Sequence, residues 1–235
     1  MLTLSAAMSQ SAYPGRGIIV GASADGQNAV CAYFIMGRSV NSRNRVFVPE
    51  GEGVRTQAHD PSKMSDPTLI IYAPVRVWRE HLILTNGDQT DTIRDFLARG
   101  DTFEDALRTR AFEPDAPNYT PRVSALVTLS GNGFSYKLAI LKSADGNPAC
   151  CRRYFFEYET PLPGIGHFLH TYAGDGDPLP SFAGEPEAVA LGNGIDDIAG
   201  TIWESLNDDN KVSLFVRTVN LRTGASESRI LNKHH

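Results

Sequence analysis

The chain has 235 residues, 41% of them hydrophobic and 21% charged, with a formal net charge of −5. Those figures are ordinary for a soluble globular protein with a substantial core, in one large domain or two small ones. The acidic balance argues against a nucleic-acid partner held by bulk electrostatics, while leaving room for a local basic site for a small phosphate.

The cysteines are Cys31, Cys150 and Cys151, an odd count with no C-x-x-C. A secreted disulfide framework and a structural zinc site are therefore not expected. The opening residues, MLTLSAAMSQSAYPGRG, lack the basic start and sustained apolar stretch of a signal peptide. No uncharged apolar run approaches the ~18 residues of a membrane span, so a cytoplasmic protein is the default.

Residues 1–12 read as a loose or capping N-terminus. YPGRGIIVGAS (13–23) and AVCAYFIMG (29–37) predict two strands, joined by a turn of hairpin composition. RSVNSRNR (38–45) is polar, VFVPE (46–50) resumes strand character, and 51–67 is rich enough in Gly, Pro, Asp and Ser to read as a loop. Strands are expected at 68–78 and 81–86, and helices at 91–99 and 103–111. Asn86-Gly87 is a turn signal because both residues tolerate positive φ, and Thr90 or Asp91 can cap the first helix. Gly100 suits the end of that helix, and Thr102 with Asp105 resembles a capping box for the next.

Residues 113–122 read as a loop. VSALVTLS, FSYKLAILKS and CCRRYFFEYE predict strands separated by GNG (131–133) and ADGNP, and 166–173 predicts another. A Gly/Pro-rich loop covers 174–186, a helical stretch broken at GNG (192–194) covers 186–206, and a hairpin closes the chain. Strands in runs with paired helices give an α+β pattern with mostly antiparallel sheets, and two sheets face to face with helices outside would fit.

Four polar segments interrupt this scaffold at strand ends or helix starts, where a rigid element positions a loop. The first, 38–45, supplies Arg38, Arg43 and Arg45; guanidinium forks suit phosphate, although a solvated basic loop is the plainer reading. Tyr72 ends an apolar run and is either a core tyrosine or a proton donor held by packing. Glu113 stands between Phe112 and Pro114, where a carboxyl can have a raised pKa, or it is simply solvated after a helix. Arg122 could pair with Glu113 or with a phosphate. GDGDP (174–178) could be a turn, a cation site or a sugar-hydroxyl acceptor, but lacks EF-hand spacing. His167 and His170 would point to opposite strand faces, so a shared metal is not expected, and Cys150-Cys151 reads as packing. Nucleotide fingerprints and GxSxG are missing, and Leu2 leaves no nucleophile next to Met1.

YPGRGIIVG, MGRSVNSRNR, DPTLIIY, TNGDQTDTI, YTPRVSA and TYAGDGDPLPSFAGEPEA together, over most of the chain, resemble the archaeal-type IMP cyclohydrolase family. The combination of NGDQTDTI with TPR downstream is the most specific part of the match. The resemblance implies one domain over 1–235, a four-layer αββα sandwich like that of N-terminal-nucleophile hydrolases, and no N-terminal nucleophile. It implies dehydrative ring closure of 5-formamidoimidazole-4-carboxamide ribotide to inosine 5′-monophosphate, in purine biosynthesis, with a purine ribonucleotide substrate and no metal or organic cofactor.

On that resemblance Arg43, Tyr72 and Glu113 are the expected catalytic residues. Arg38, Arg45, Asn86, Asp88, Thr90 and Arg122 are expected around the substrate. Tyr72 would donate to the formyl oxygen or leaving water, Glu113 would accept the amide proton, and Asn86 with Asp88 would orient the carboxamide or ribose. Thr90 keeps its reading as a cap. Extra length relative to the short archaeal form is expected around 51–67 and 131–165, which could add a sheet edge or a homo-oligomer contact. The alternatives are a purine-nucleotide binding module without turnover, and an amide hydrolase that the missing nucleophile disfavours.

Overall fold

The computed structural model describes residues 1–131 and 133–234. Asn132, in the predicted GNG turn, and His235, of the terminal His pair, lie outside the described residues. The chain begins with β1 (Leu2–Thr3) and α1 (Leu4–Ser9), followed by β2 (Arg16–Ala22), β3 (Asn28–Met36) and the one-turn α2 (Val40–Arg43). Next come β4 (Arg45–Glu50), β5 (Gly53–Ala58), β6 (Val75–Trp78) and β7 (His81–Thr85), then α3 (Gln89–Ala98) and α4 (Phe103–Arg108). The run β8 (Arg122–Ser130), β9 (Gly133–Ala144), β10 (Asn147–Tyr158) and β11 (Ile165–His170) precedes β12 (Glu187–Ala190), α5 (Ile195–Ser205), β13 (Lys211–Asn220) and β14 (Ser226–Asn232).

These strands form two seven-stranded sheets, in the orders β1-β12-β11-β2-β3-β13-β14 and β10-β9-β8-β7-β6-β5-β4. Neighbouring strands pair antiparallel except β1 with β12. The class is therefore mixed α and β with mostly antiparallel sheets, as the run of strands predicts. Among the described residues no helix is long and apolar enough to cross a membrane.

Burial explains why several strands read as unbroken apolar runs rather than alternations. One face of β2 and β3 (Ile18, Val20, Tyr33, Ile35) packs with Val75, Leu84, Val123 and Leu138 of the other sheet. Their opposite face, with Ile19 and Phe34, packs with Met8 of α1 and Ile198 and Ile202 of α5. A third cluster joins Ile83, Leu126 and Leu141 to Ile93, Phe103 and Leu107 of α3 and α4. Strands covered on both faces lose the polar alternation of a half-exposed sheet.

Helix boundaries follow their caps. Gly100 takes φ +87° after α3, and the Thr102 hydroxyl accepts from Asp105 N–H at 3.1 Å to start α4.

Four expectations are corrected. The N-terminus is not loose: Thr3 caps α1, which buries Leu4, Ala7 and Met8 at helical spacing. The 51–67 loop contains β5, whose Val54 and Thr56 are buried while Gln57 is exposed; its polar residue types hid the alternation. Residues 68–74 are not strand, which begins only at Val75. Ile70 and Ile71 N–H both donate to Pro67 O, and the Thr56 hydroxyl stands in for a ladder, donating to Ile70 O and accepting from Tyr72 N–H. Residues 187–190 are strand, not helix, because pairing with β1 and β11 outweighs the helix propensity of EAVA. Cys150 is exposed, and Cys151 leans on the α3–α4 cluster.

Gly15 brings the start of β2 against β11. It has φ +81°, and a Cβ there would lie 2.3 Å from Thr171 Oγ1 and 2.5 Å from the Tyr172 ring. Gly15→Ala is expected to cost ~1–3 kcal/mol through both terms, read as a lowered urea midpoint at unchanged m-value.

Candidate active site

A core that is apolar on both sheet faces leaves polar groups only the strand ends. Arg16, Arg45 and Arg122 are the first residues of β2, β4 and β8. All three are buried, Arg45 at 0% exposure, and Glu113, at 1%, stands in the loop before β8. That loop is pinned by Glu113 N–H to Thr120 O at 2.9 Å and by Thr120 N–H to Asp115 Oδ1 at 2.7 Å. The Thr120 hydroxyl also meets Asp115 and the Tyr172 hydroxyl. Tyr172 stacks on Tyr13 with centroids 5.8 Å apart.

Arg16 Nη2 lies 3.6 Å from Glu113 Oε2. The Tyr33 and Tyr72 hydroxyls are 2.7 Å apart, and the Tyr33 ring stacks on Phe47. Arg45 donates through Nε to Ser42 O at 2.8 Å. Among the described residues, the buried side-chain polar atoms left without a partner are Arg16 Nε and Arg45 Nη1. A buried unmade donor costs ~1–3 kcal/mol, so two guanidinium N–H groups without acceptors mark a place for an anionic or carbonyl ligand.

The electrostatics follow from burial. Burial pushes the Glu113 carboxyl up to about 7, against the lowering pull of Arg16 and Arg122. Burial alone would lower the Arg16 pKa, but Glu113 and the surrounding tyrosines hold it well above the usual value. Arg45 lacks a carboxylate of its own, so burial lowers it, Tyr72 opposing and Arg16 adding to the effect. Burial, then the neighbouring Tyr72, raises the Tyr33 phenol well above its usual range. The result is a buried cluster holding a carboxyl near neutrality, paired hydroxyls and fixed positive charge.

The 86–91 turn is used internally. Asn86 donates to Pro121 O at 2.9 Å and accepts from Val123 N–H at 2.8 Å. Gln89 Oε1 accepts from Arg122 Nη1 at 2.5 Å, and its amide donates to Asn86 Oδ1. Neither Asn86 nor Gly87 has positive φ; a Cβ at 87 would lie 2.2 Å from Arg122 Nη1, so a side chain there would displace that guanidinium from its bonds to Asp88 and Gln89. Helix α3 starts before Thr90, so neither Thr90 nor Asp91 is its cap. Its cap position is Asp88, without a side-chain cap bond. The Thr90 hydroxyl instead bonds Thr85 and Gly87 O. Burial opposes charge on Asp88, but Arg110 and Arg122 hold its carboxyl below the usual range.

Two further arginines lie outside the buried cluster. Arg43, exposed, donates to Gly37 O and Asn210 Oδ1. Arg38 lies over the Tyr13 ring and pairs with Asp175 of the GDGDP loop at 2.6 Å. His167 and His170 take different partners, Tyr136 and Tyr172 O. The open cleft of about 480 Å³ beside the β9–β10 turn includes none of Arg16, Arg45, Tyr72 and Glu113.

The family model described as IMP cyclohydrolase-like protein matches residues 13–224. The chain belongs to this family. It is also 31% identical, over 163 residues, to a protein named IMP cyclohydrolase from Methanopyrus kandleri, covering 68% of this chain and 75% of that protein.

Within this family member, the structure gathers Tyr72, Glu113, Arg45 and Arg122 from the sequence-derived candidates. Asp88 and, through Gln89, Asn86 support Arg122, Thr90 braces the 85–87 turn, and Arg43 ties loops together. Sequence reasoning missed Arg16, Tyr13, Tyr33 and Tyr172. The available signal for Arg16 was a charged residue between two glycines at the head of an otherwise apolar strand.

Glu113 binds its proton more tightly folded (about 7) than at the ordinary 4.5. Between those values the native state holds more protons than the unfolded one, so stability falls as pH rises through the window. Relative to Glu113→Gln, wild type is expected to lose ~3 kcal/mol between pH 4.5 and 7.5, measured by urea unfolding at both ends.

Proposed function

We propose that the chain is an IMP cyclohydrolase, closing 5-formamidoimidazole-4-carboxamide ribotide to inosine 5′-monophosphate with loss of water. Glu113 beside two guanidiniums with unmade N–H bonds, next to the Tyr33–Tyr72 hydroxyl pair, is the observation that carries this reading. In this reading the chain is one domain and its layers run helix, sheet, sheet, helix, like N-terminal-nucleophile hydrolases. The three apolar clusters, one shared by the sheets and one between each sheet and its helices, support that order.

The carboxamide nitrogen attacks the formyl carbon, forming the N–C bond while the formyl oxygen gains charge. An amide nitrogen is a weak nucleophile, so holding the two groups in contact supplies a large share of the acceleration. Arg16 and Arg45 turn their unmade N–H groups to that oxygen, where fixed charge in a dry site acts strongly. Tyr72 gives it a proton. Glu113, near neutrality, takes the carboxamide proton and can return it to the departing hydroxyl. As the C–O bond breaks and water leaves, the formamide N–H proton passes to the Tyr72 oxygen and restores its phenol.

Arg38 is the arginine we give to the phosphate. Its pair with Asp175 is half exposed and therefore exchangeable at little cost. Asn86 and Asp88 act by holding Arg122 and the base of the Glu113 loop, and Thr90 by bracing the 85–87 turn, rather than by touching substrate.

Purified protein with the formamido ribotide is expected to yield inosine monophosphate, followed by absorbance and chromatography, with turnover unchanged by a chelator. Glu113→Gln and Tyr72→Phe are each expected to lower kcat by ~10²-fold or more, with smaller changes in KM. Arg45→Met is expected to lower kcat by ~10²–10³-fold. Wild type that binds inosine monophosphate but forms none from the ribotide would overturn the enzyme reading in favour of a binding module.

A further inference from the structure

Asp115 is a carboxylate that the ring closure does not use, yet it is tied to two residues of the site at once. Its backbone oxygen accepts from Asn118 N–H at 3.1 Å and from Tyr119 N–H at 3.3 Å. Its side chain takes both donors of Thr120, the N–H on Oδ1 at 2.7 Å and the hydroxyl on Oδ2. Thr120 O in turn accepts from Glu113 N–H at 2.9 Å, so the loop closes on itself with Glu113 at its mouth. Inside this turn Tyr119 takes a left-handed φ of +44°. A tyrosine holds that conformation only where the surrounding contacts dictate it.

The hydroxyls in this chain have a fixed direction. An ionised carboxylate only accepts, and a threonine hydroxyl has one proton to give. The Thr120 proton goes to Asp115, so the Thr120 oxygen receives the Tyr172 O–H. Burial pushes the Tyr172 phenol up to about 12, and its proton stays in the chain at neutral pH. Tyr172 follows β11 and is held there by its N–H on Pro14 O at 3.2 Å and by His170 Nδ1–H on its carbonyl at 2.7 Å. The chain Asp115–Thr120–Tyr172 thus fastens the loop before β8, in one sheet, to the end of β11 in the other. With its proton committed to Thr120, Tyr172 is no donor to substrate, and that role stays with Tyr72.

We propose, on the ring-closure reading above, that Asp115 is a positioning residue of the site, setting through Thr120 the place of Glu113 on one side and the direction of the Tyr172 O–H on the other. The charges bearing on the Glu113 carboxyl differ in sign. Burial raises its pKa most; Arg16 of β2 and Arg122 of β8 lower it, Asp115 raises it and Arg45 of β4 lowers it. Asp115→Asn removes the negative charge among these, which favours the Glu113 carboxylate and lowers its midpoint. The new amide keeps its oxygen for Thr120 N–H and turns its NH2 to the Thr120 oxygen. Thr120 must then donate to Tyr172, and the chain runs backwards. Thr120→Val keeps the Asp115 charge but cuts the chain, and Thr120→Ser keeps both.

The test combines infrared titration of the Glu113 carboxyl, a band that Glu113→Gln lacks, with the pH dependence of kcat/KM for the formamido ribotide. Wild type is expected to titrate at about 7 in both. Asp115→Asn should move both midpoints down by roughly half a unit or more, and Thr120→Val should leave them in place. Both variants should lower kcat by ~10–10²-fold with little change in KM, because Glu113 is misplaced rather than lost. Thr120→Ser should recover kcat to within about threefold of wild type. Equal midpoint shifts in Asp115→Asn and Thr120→Val would mean that the loop had merely opened to water, and would overturn the proposal. So would an unchanged midpoint in Asp115→Asn, or equal kcat in Thr120→Ser and Thr120→Val. Should Asp115→Asn not fold, the Thr120 pair decides alone, through kcat. The infrared band needs no turnover, so a wild type that forms no inosine monophosphate overturns the ring-closure reading while the band still decides what Asp115 does to Glu113.

Discussion

Everything at the polar end of this fold depends on holding Arg16, Arg45 and Glu113 out of water together. Burying an ion is expensive, and an ion pair offsets that cost only with good geometry and further hydrogen bonds. Arg16 and Glu113 approach to 3.6 Å, which is Coulombic contact rather than a fork-to-fork bond. Among the described residues Arg45 has backbone carbonyls and no carboxylate as bonding partners. The cluster is thus built with more positive charge and more donors than its own acceptors satisfy. An arrangement selected for stability alone would not leave those donors unmade, and one awaiting an electron-rich ligand would.

The scaffold around the cluster is rigid where it must be. Gly15 lets β2 begin against Thr171 and Tyr172, and Gly87 lets Arg122 lie across the turn. Asn86 stitches that turn to Pro121 and Val123, so the base of the Glu113 loop cannot drift from β8. The polar residues of NGDQTD are largely spent on this fastening. They fix a guanidinium that bears on the Glu113 carboxyl.

How much of this was legible depended on whether the signal was local. β2, β3, β7, β8, β9 and β13 show in apolar runs bounded by turns, β14 as the second arm of a hairpin, and α3 and α4 in periodicity with Gly100 and the Thr102 cap between them. β5 and β12 do not, because one is polar in type and the other is made of helix formers; only pairing partners make them strands. Tyr72, Glu113 and Arg122 stand out as polar breaks beside apolar runs. Tyr33 could not, since a tyrosine in AVCAYFIMG reads as core until Tyr72 is brought to its hydroxyl. Arg43 and Arg45 are two positions apart in one motif. What separates them is a capping box at Ser39, which makes 40–43 a helical turn and leaves Arg43 outside, while Arg45 opens β4.

The same electrostatics constrain where a nucleotide's phosphate can lie in the proposed reaction. Glu113 is held near 7 by burial against the lowering pull of Arg16, Arg122 and Arg45. A phosphate bound directly to Arg16 or Arg45 would neutralise the charges that keep the carboxyl from rising further. Glu113 would then stay protonated at neutral pH and could not accept a proton. A phosphate at Arg38, at the exposed rim beside Tyr13 and Asp175, leaves that balance intact. Occupation of the inner donors by the formyl oxygen, which is neutral before ring closure and negative during it, adds the opposing charge only as the transition state forms. The arginines then favour the transition state over the bound substrate, the differential that acceleration requires.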